Sequence, residues 1–366
     1  MTAGEPIIRP QSAVSLTPFS TLGIGGPAQW FTRATTAEQV AAAHGWCCER
    51  NLPLFILGGG SNLVIADRGV DGLVLQMAIC GADFAPRRSE TVVRVGAGEP
   101  WDRVVAGAVL HGLAGLECLS GIPGSTGGTP IQNVGAYGQE VSDSIANVTA
   151  FDTTSRRMTT LTGADCRFGY RTSRFKREDA GRFVVCEVRL ALRPGSPTMT
   201  YPDVVSHVQR SAISSPTLDD VRQAVLSIRR GKGMVIDEAD PDTRSVGSFF
   251  MNPIVAADAH AGLEAASGGT VPGFRMPHDR IKVPAAWLIE QAGFPRGYGS
   301  GPVGLSSKHP LAIVNRGGAA ARDVLKLATE IKRRVADRFG MSLTPEPAFV
   351  GFGDDEDVAY LREGNG

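Results

Sequence analysis

The chain has 366 residues, of which 42% are hydrophobic, and its 37 basic residues balance 37 acidic ones to give a formal net charge of zero. This composition predicts an ordinary globular protein of about two to three domains and excludes a general electrostatic attraction to nucleic acid or to an anionic membrane. The sequence shows no signal-like N-terminal segment and no apolar run long enough to span a bilayer, so we expect a cytoplasmic protein without membrane insertion.

The first half of the chain predicts mixed α and β structure. A helix is expected from Thr36, as its N-cap, to about Arg50, with Gln39 completing a capping-box pattern. The apolar stretch LPLFIL predicts a strand that runs into GGGSNLVIAD, and TVVRVGAG predicts another strand before a helix in EPWDRVVAGAVLHGL. Further on, VTAFDTT and RFVVCEVRLAL alternate in the manner of antiparallel strands.

The organisation changes after Lys232, where a long stretch is mostly loop, so a domain boundary is expected near residue 233. Three helices are predicted from apolar spacing and end signals: Leu218 to Arg230 with Thr217 as cap, AAWLIEQA between Pro284 and Gly293, and Arg322 to Phe339 before Gly340. The acidic tail from Asp354 is expected to be frayed.

The cysteines and histidines do not suggest a disulfide frame or a metal site. The chain has six dispersed cysteines without CxxC spacing: Cys47, Cys48, Cys80, Cys118, Cys166 and Cys186. This pattern predicts reduced, buried thiols, as in a cytoplasmic protein. The histidines are equally scattered, with no His-x-x-x-His pair, so no zinc site is predicted.

Glycine is abundant, with 45 residues, and forms two clusters: GGGSN at Gly58 to Asn62 and GIPGSTGGTPIQN at Gly121 to Asn133. Consecutive backbone N–H groups in such turns can cradle a phosphate, because glycine lets the main chain approach without a Cβ clash. Neither cluster is a P-loop and neither matches GxGxxG, which disfavours a conventional ATPase or a Rossmann dehydrogenase. From these residues alone, phosphate cradles and ordinary loops both remain open.

The stretch SVGSFFMNP sets Ser248 between a glycine and two phenylalanines. Its hydroxyl could serve as a nucleophile, as a helix cap or as a proton donor. A serine hydrolase is disfavoured because the glycine that a GxSxG elbow requires two residues after the serine is missing. The cap stays open, since serine is a frequent N-cap residue.

Several motifs occur in an order that resembles one flavoprotein family. They are TLGIGGPA, GGGSNLVIAD, VGAGEPWDRVV, GLECLSGIPGSTGGTPIQNVGAYGQE, FGYRTSRFK, SVGSFFMNP, AAWLIEQAGF, SKHPLAIVNRGGA and LTPEPAFVG, and they span about residues 16 to 352. The chain thus resembles the UDP-N-acetylenolpyruvoylglucosamine reductase family. The resemblance implies an α+β fold with a vanillyl-alcohol-oxidase (PCMH)-type FAD-binding domain of two α+β subdomains, 1–75 and 76–232. It further implies a C-terminal α+β substrate-binding domain, 233–340, with 341–366 packing back on the first subdomain.

The same resemblance implies non-covalent FAD, held by both glycine clusters, and NADPH as co-substrate. The implied cofactor-binding residues are Gly58, Gly59, Gly60, Ser61, Asn62, Gly121, Ile122, Gly124, Ser125, Gly127, Gly128, Thr129, Asn133, Gly135 and Ala136. Covalent flavin attachment is not expected, because neither cluster contains histidine or cysteine and nearby Cys118 is expected to be packed.

The family reaction reduces an enolpyruvyl UDP-sugar to UDP-N-acetylmuramate in peptidoglycan precursor synthesis. A hydride passes from flavin N5 to C3 of the substrate, and C2 must then receive a proton. The resemblance implies Ser248 as the proton donor, Arg171 as the fixed cation at the substrate carboxylate, and Glu346 as an acid or electrostatic partner beside it. The protein is expected to act as a monomer.

The implied substrate-binding residues are Tyr170, Arg171, Tyr201, Lys232, Asn252 and Gln291. Tyr201 matches a tyrosine that closes over the diphosphate, and Lys232 can meet a phosphate as a point charge. The chain departs from many relatives at Ala348, where they carry an arginine two residues after the glutamate, so one substrate contact is missing or comes from elsewhere.

Two other functions remain open from the sequence. One is a FAD-dependent oxidase of the same fold with another substrate, which the GSFF and TPEP motifs disfavour. The other is a non-enzymatic nucleotide- or sugar-binding protein that uses the glycine loops for recognition.

Overall fold

The computed structural model describes residues 8–87, 89–267 and 269–364. The chain divides into two compact units, and both are discontinuous in sequence. Among the described residues, the first unit comprises 8–14, 28–60 and 70–235, and the second comprises 15–27, 61–69 and 236–364. One boundary therefore falls between Val235 and Ile236. The division of the preceding residues into two subdomains stays a prediction.

The described residues form α-helices and strands along the whole chain. The helices are α1 Ala37–Arg50, α2 Trp101–Leu110, α3 Pro202–Arg210, α4 Leu218–Gly231, α5 Ala257–Ser267, α6 Ala285–Gln291, α7 Ala321–Phe339 and α8 Glu356–Arg362. The strands are β1 Gln11–Ser15, β2 Pro27–Ala34, β3 Leu54–Leu57, β4 Leu63–Ile65, β5 Val70–Met77, β6 Ala82–Arg87, β7 Glu90–Gly96, β8 Leu113–Ala114, β9 Gly135–Ala136, β10 Gln139–Glu140, β11 Ile145–Asp152, β12 Arg157–Thr162, β13 Phe183–Pro194, β14 Ile254–Ala256, β15 Phe274–Met276, β16 Arg280–Lys282, β17 Val303–Leu305, β18 Ile313–Asn315 and β19 Ala348–Val350. Over the described ranges, every helix is too short or too polar to cross a membrane.

Two larger sheets organise the first unit. Strands β2 and β3 flank β5 in parallel register, and β1 adds a fourth strand beside β2. The second sheet is antiparallel, with the order β12-β11-β13-β7-β6, and β8 pairs with the end of β13. The antiparallel pairing of β11 with β13 confirms the prediction made from their alternating sequences.

Local signals set the starts of α1 and α4, as the sequence predicted. The Thr36 hydroxyl accepts the N–H of Gln39 at 3.3 Å, while the Gln39 side chain accepts the N–H of Thr35 at 2.7 Å. Thr217 and Asp220 form a complete capping box at α4. Each such N-cap contributes about 1 kcal/mol and depends only on neighbouring residues, which is why sequence alone could place it.

The second unit has its core around α7. The apolar face of this helix is buried at Val324, Ala328, Ile331 and Val335, while Phe339 is half-buried. Helix α6 packs against it, and Gly340 ends it in the left-handed conformation. Strand β19 pairs in parallel with β4, so the C-terminal strand is held by a strand from a distant part of the chain.

The expectation that the acidic tail from Asp354 is frayed is wrong, because the tail forms helix α8. Asp355 caps this helix by accepting the N–H groups of Asp357 and Val358. Arg322 of α7 forms ion pairs with Asp355 at 2.5 Å and with Asp357 at 2.9 Å. These contacts join residues far apart in sequence, so composition alone did not reveal them.

Lys332 holds the other end of α8. Its side chain is 2% exposed, and Nζ donates to the carbonyls of Tyr360 at 2.7 Å, Leu361 at 3.0 Å and Glu363 at 2.6 Å. Replacing Lys332 by methionine should lower the free energy of unfolding by roughly 2–4 kcal/mol, since a hydrogen bond to a charged group contributes about 1.5–3 kcal/mol. Urea unfolding measures this loss. Lys326→Met, at an exposed position of the same helix, is the control, and equal stability of the two variants would contradict the expectation.

Candidate functional site

In the first unit, Gly58 and Gly59 of the first glycine cluster lie against Gly124 and Ser125 of the second cluster. A Cβ added to Gly59 would lie 2.6 Å from the Gly124 Cα, and one added to Gly58 would lie 2.7 Å from the Ser125 Oγ. Gly60 follows with a positive φ of 64°. Only glycine permits two main chains to approach this closely. Backbone groups of both clusters are thereby brought together, as a phosphate cradle requires.

The second cluster is anchored on the segment before α2. Both the N–H and the hydroxyl of Thr126 donate to the Glu99 carbonyl, at 2.8 and 2.9 Å, and the Gly127 N–H donates to the Ala97 carbonyl at 2.8 Å. The Thr129 hydroxyl donates to the Thr126 carbonyl at 2.8 Å. The Thr129 side chain therefore braces the turn from inside, and its predicted contact with a cofactor stays a prediction.

The end of the second cluster is joined to the FGYRTS turn. Arg171 adopts a left-handed φ of 53°, and its guanidinium donates to the carbonyls of Gly135 at 2.5 Å and Asn133 at 3.3 Å. The buried Asn133 amide donates in turn to the Gly169 carbonyl at 3.2 Å. The guanidinium also lies 5.6 Å from the centre of the Tyr170 ring. The predicted carboxylate-binding arginine is thus tied directly to the predicted cofactor loop.

Two predicted substrate residues meet at the ends of α3 and α4. Tyr201 immediately precedes α3, and its ring contacts Tyr137 edge to face with 5.3 Å between ring centres. Lys232 follows α4, and its Nζ lies 3.1 Å from the Asp203 carboxylate and 5.9 Å from the centre of the Tyr137 ring. Burial raises the pKa of both tyrosine hydroxyls, so each stays a neutral donor at physiological pH.

Arg229 is a residue that the sequence reasoning missed. Its Nη2 donates to the Met234 carbonyl at 2.8 Å, but its Nε atom is buried with no hydrogen-bond partner among the described residues. Removal of the guanidinium from water lowers its pKa, although the Tyr137 hydroxyl and the Asp102 carboxylate nearby oppose that shift. A Cβ on Gly121 would lie 3.5 Å from this Nε. A positive, incompletely satisfied group therefore stands beside the second glycine cluster.

These features fit a flavin nucleotide. The touching loops can present main-chain donors to a diphosphate, and the half-buried Arg229 adds a cation beside them.

Cys118 is fully buried, its sulfur lies 3.6 Å from the Thr198 carbonyl, and burial raises the pKa of its thiol to about 12. This confirms that Cys118 is packed. Of the remaining cysteines, Cys47, Cys166 and Cys186 are buried, whereas Cys48 and Cys80 are exposed and depart from the predicted burial.

A methyl group at Gly59 should weaken FAD binding. The added Cβ would overlap the Gly124 main chain, and overpacking of this kind costs about 1–3 kcal/mol. Because 1.4 kcal/mol corresponds to tenfold in affinity, Gly59→Ala is expected to raise the FAD dissociation constant about tenfold or more. Fluorescence titration of the apoprotein with FAD measures it. Gly45→Ala, where a Cβ meets nothing within 4 Å on α1, is the control. Equal affinities in both variants would contradict the expectation.

In the second unit, backbone contacts on both sides hold the Ser248 loop. Gly247 has a positive φ of 74°, and the Phe249 N–H donates to the Leu311 carbonyl at 2.8 Å. Phe250 forms an isolated antiparallel β-bridge with Pro345. Both phenylalanine rings are buried, and their centres lie 5.1 Å apart. The loop is therefore fixed, and apolar side chains follow directly after the serine.

Ser248 itself lies in a loop and is half-buried. It caps no helix of the described chain, which excludes that interpretation. Within the described residues, its hydroxyl forms no hydrogen bond to a histidine or other base that could activate it as a nucleophile. None of these contacts tests proton donation, which stays a prediction.

Glu346 is joined to the Ser248 loop through the backbone. Its N–H donates to the Phe249 carbonyl at 2.8 Å, and its carbonyl accepts the Asn62 amide at 3.3 Å. The Ala348 N–H donates to the Asn62 carbonyl at 3.0 Å, and the Ala348 side chain is exposed. The second unit thus brings two predicted catalytic residues into adjoining segments and places Asn62 beside them.

Asn252 and Gln291 lie at opposite ends of α6. The Asn252 Oδ1 accepts the N–H of Ala285 at 2.9 Å, so this side chain caps the helix. Gln291 is the last helical residue and is exposed, and its carbonyl accepts a hydrogen bond from Arg338. The structure does not bring the two side chains together, and their substrate contacts stay predictions.

Comparisons with known proteins agree with these features. Residues 240–350 match the family model "UDP-N-acetylenolpyruvoylglucosamine reductase, C-terminal domain", and residues 28–160 match the model "FAD binding domain". A protein named UDP-N-acetylenolpyruvoylglucosamine reductase from Thermobifida fusca (strain YX) is 46% identical over 347 residues, covering 92% of this chain and 97% of the relative. One of the same name from Streptomyces coelicolor is 45% identical over 345 residues, covering 92% and 89%.

A solved structure gives the same result. The crystal structure of UDP-N-acetylenolpyruvylglucosamine reductase from Thermus caldophilus matches with a TM-score of 0.64 and 26% identity, covering 94% of this chain and 99% of that one. This match and the FAD-binding model confirm the predicted α+β fold with its PCMH-type FAD-binding domain. The chain belongs to the UDP-N-acetylenolpyruvoylglucosamine reductase family and is a FAD-dependent oxidoreductase.

Proposed function

We propose that this chain catalyses the NADPH-dependent, FAD-mediated reduction of enolpyruvyl-UDP-N-acetylglucosamine to UDP-N-acetylmuramate, a step in cytoplasmic synthesis of peptidoglycan precursors, and that it acts as a monomer. The names of relatives about 45% identical over nearly the whole chain support the reaction. The observation in the molecule that carries the proposal is the backbone bond from Glu346 to Phe249, which sets the glutamate beside the Ser248 loop.

The residues of the two glycine clusters, together with Gly135 and Ala136, would hold FAD, with Arg229 nearby as a cation. FAD held there and reduced by NADPH would supply a hydride to C3 of the substrate double bond. The chain's own residues must then hold the substrate, stabilise negative charge on its carboxylate and deliver a proton to C2.

Ser248 is assigned the proton transfer. An alcohol is too weak an acid to protonate ordinary bases, but carbanion character at C2 makes that carbon basic enough to take the proton. The buried rings of Phe249 and Phe250 limit water on one side of the loop, which leaves the hydroxyl as the nearest donor.

Arg171 and Glu346 are assigned to the substrate carboxylate. An arginine stays charged at all physiological pH values and can bind a carboxylate through two parallel hydrogen bonds. Its contacts with the Gly135 and Asn133 carbonyls fix the direction of the guanidinium before substrate arrives. Such a preorganised charge stabilises a transition state without reorganisation. Glu346 is proposed to act on the substrate carboxylate as an acid or electrostatic partner.

The remaining residues are assigned to the sugar nucleotide. Tyr201 and Lys232 would bind the diphosphate, the first as a neutral hydroxyl donor and the second as a point charge that exchanges Asp203 for phosphate. Tyr170, Asn252 and Gln291 would contribute further contacts. In Asn252 the Oδ1 already caps α6, so its NH₂ group is the part proposed to face substrate.

Steady-state turnover tests the proposal directly. NADPH oxidation by the purified, FAD-loaded protein should depend on the enolpyruvyl sugar nucleotide and stop when that substrate is consumed. NADPH consumption with oxygen uptake and no dependence on the sugar nucleotide would instead identify an oxidase. A colourless protein that gains no flavin absorbance with added FAD would leave only a nucleotide- or sugar-binding role.

A further inference from the structure

Asp102, on the first turn of α2, joins the second glycine cluster to α4 within the first unit. One carboxylate oxygen accepts the Gly121 N–H at 2.6 Å and an Arg222 nitrogen at 2.7 Å, while the other accepts the second Arg222 nitrogen at 2.8 Å. Burial of Asp102 acts to raise the pKa of this carboxyl, but the hydrogen bonds from Arg222 and Gly121 outweigh it and hold the pKa below its ordinary value. The group is therefore a carboxylate at physiological pH.

Gly121 is the first residue of the second glycine cluster and the place where α4 packs on that cluster. It adopts a positive φ of 69°. A Cβ there would lie 2.8 Å from Leu226 and 3.0 Å from Val235. The Asp102 carboxylate thus holds this peptide on one side, while side chains on and after α4 press on the other.

Helix α4 also determines where the substrate residues lie. Lys232 follows its last turn, and α3, which begins directly after Tyr201, packs on it through a shared apolar cluster that includes Val208 and Val225. A shift of α4 would therefore move both residues assigned to the diphosphate. Arg222 stands on this helix, with only 11% of its side chain exposed.

We propose that Asp102 is a positioning residue for the reductase. Its carboxylate couples the peptide of the cofactor-holding cluster, through Gly121, to the helix that carries Lys232, through the two-point contact with Arg222. The two contacts have separate consequences. The Gly121 bond orders the cofactor loop, whereas the Arg222 contact sets the position of α4 against that loop. The second consequence rests on the proposed function, and the first does not.

Three single variants and one double variant separate the two contacts. Asp102→Ala removes both, so it should raise the FAD dissociation constant and the dissociation constant of the sugar nucleotide, each by about fivefold or more. Arg222→Gln removes only the helix contact, so FAD affinity should stay within about twofold while sugar-nucleotide affinity falls. Asp102→Asn keeps an oxygen that can accept the Gly121 N–H but loses the negative charge and the second Arg222 contact. It should therefore weaken sugar-nucleotide binding while FAD affinity stays within about twofold. The double variant Asp102→Ala, Arg222→Gln should bind the sugar nucleotide no more weakly than Asp102→Ala alone, because both changes break the same contact between Asp102 and Arg222.

FAD affinity is measured by fluorescence titration of the apoprotein, and sugar-nucleotide affinity by perturbation of the flavin absorbance of the oxidised holoenzyme without NADPH. Asp219→Asn, at an exposed position of α4, is the control. Unchanged affinities in all three variants, or a lower melting temperature as their sole effect, would overturn the proposal. If Asp102→Ala does not fold, Asp102→Asn and Arg222→Gln still decide the helix contact. If the wild-type protein binds no sugar nucleotide, the proposed function fails, and the FAD titrations still decide the Gly121 contact.

Discussion

Replacing Ser248 by alanine is expected to slow reduction of the enolpyruvyl substrate by at least about 10²-fold, the usual size of a general-acid contribution. Reduction of the flavin by NADPH should continue at nearly the wild-type rate, because that half-reaction needs no proton at C2. The substitution should leave the backbone of the loop in place. The bonds of Phe249 to Leu311 and of Glu346 to Phe249 use main-chain atoms and do not depend on the hydroxyl.

Stopped-flow absorbance of the flavin separates the two half-reactions. The variant should be mixed first with NADPH, and the reduced protein then with the sugar nucleotide under anaerobic conditions. Ser214→Ala, at an exposed loop position, serves as the control for handling and flavin content. Equal loss in both half-reactions, or full activity in both, would remove Ser248 from the proton transfer.

The sequence predicted helix ends well where the signal is local. Thr36 and Thr217 each cap the helix that follows them, and their partners lie within three residues. Capping by Ser248 was an equally reasonable local expectation, yet the cap in that region is Asn252. Its partner, Ala285, lies 33 residues further along the chain, so no short pattern could identify it.

Elements that depend on distant contacts were predicted poorly. Helix α3 was missed because it is short and its stability comes from packing on α4. Helix α8 was taken for a frayed tail because its charges suggest solvent exposure. Arg322 of α7 instead pairs with Asp355 and Asp357, and Lys332 of α7 binds the main-chain carbonyls at the end of α8. Only the fold brings these residues together.

The site shows the same division. The glycine clusters could be found from composition, because close backbone contact demands glycine, and the motif order supplied the family. The geometry could not be found in that way. The sequence does not distinguish Arg229 from its neighbour Arg230. In the structure, Arg229 has a buried Nε without a hydrogen-bond partner among the described residues, whereas Arg230 is exposed. A helical spacing of apolar residues gives the buried face of α4 but not which arginine lies at its edge.

Arg171→Lys is expected to lower the rate of substrate reduction by about 10²-fold, the typical cost of removing one preorganised donor at a developing negative charge. The charge is retained, so simple attraction of an anion survives. A lysine cannot hold the Gly135 and Asn133 carbonyls and also present two parallel donors to a carboxylate, as a guanidinium does. The loss should therefore fall mainly on the chemical step, and flavin reduction by NADPH should change little.

Two controls make that result specific. Arg167→Lys changes an exposed arginine of the same segment, paired with Glu178, and should retain activity within about twofold. FAD titration of Arg171→Lys tests the other role that the contacts allow. If Arg171 served only to brace the cofactor loop, FAD affinity would fall and both half-reactions would slow together. Intact FAD affinity with slow substrate reduction would instead place the guanidinium at the substrate carboxylate, because only that half-reaction creates negative charge there.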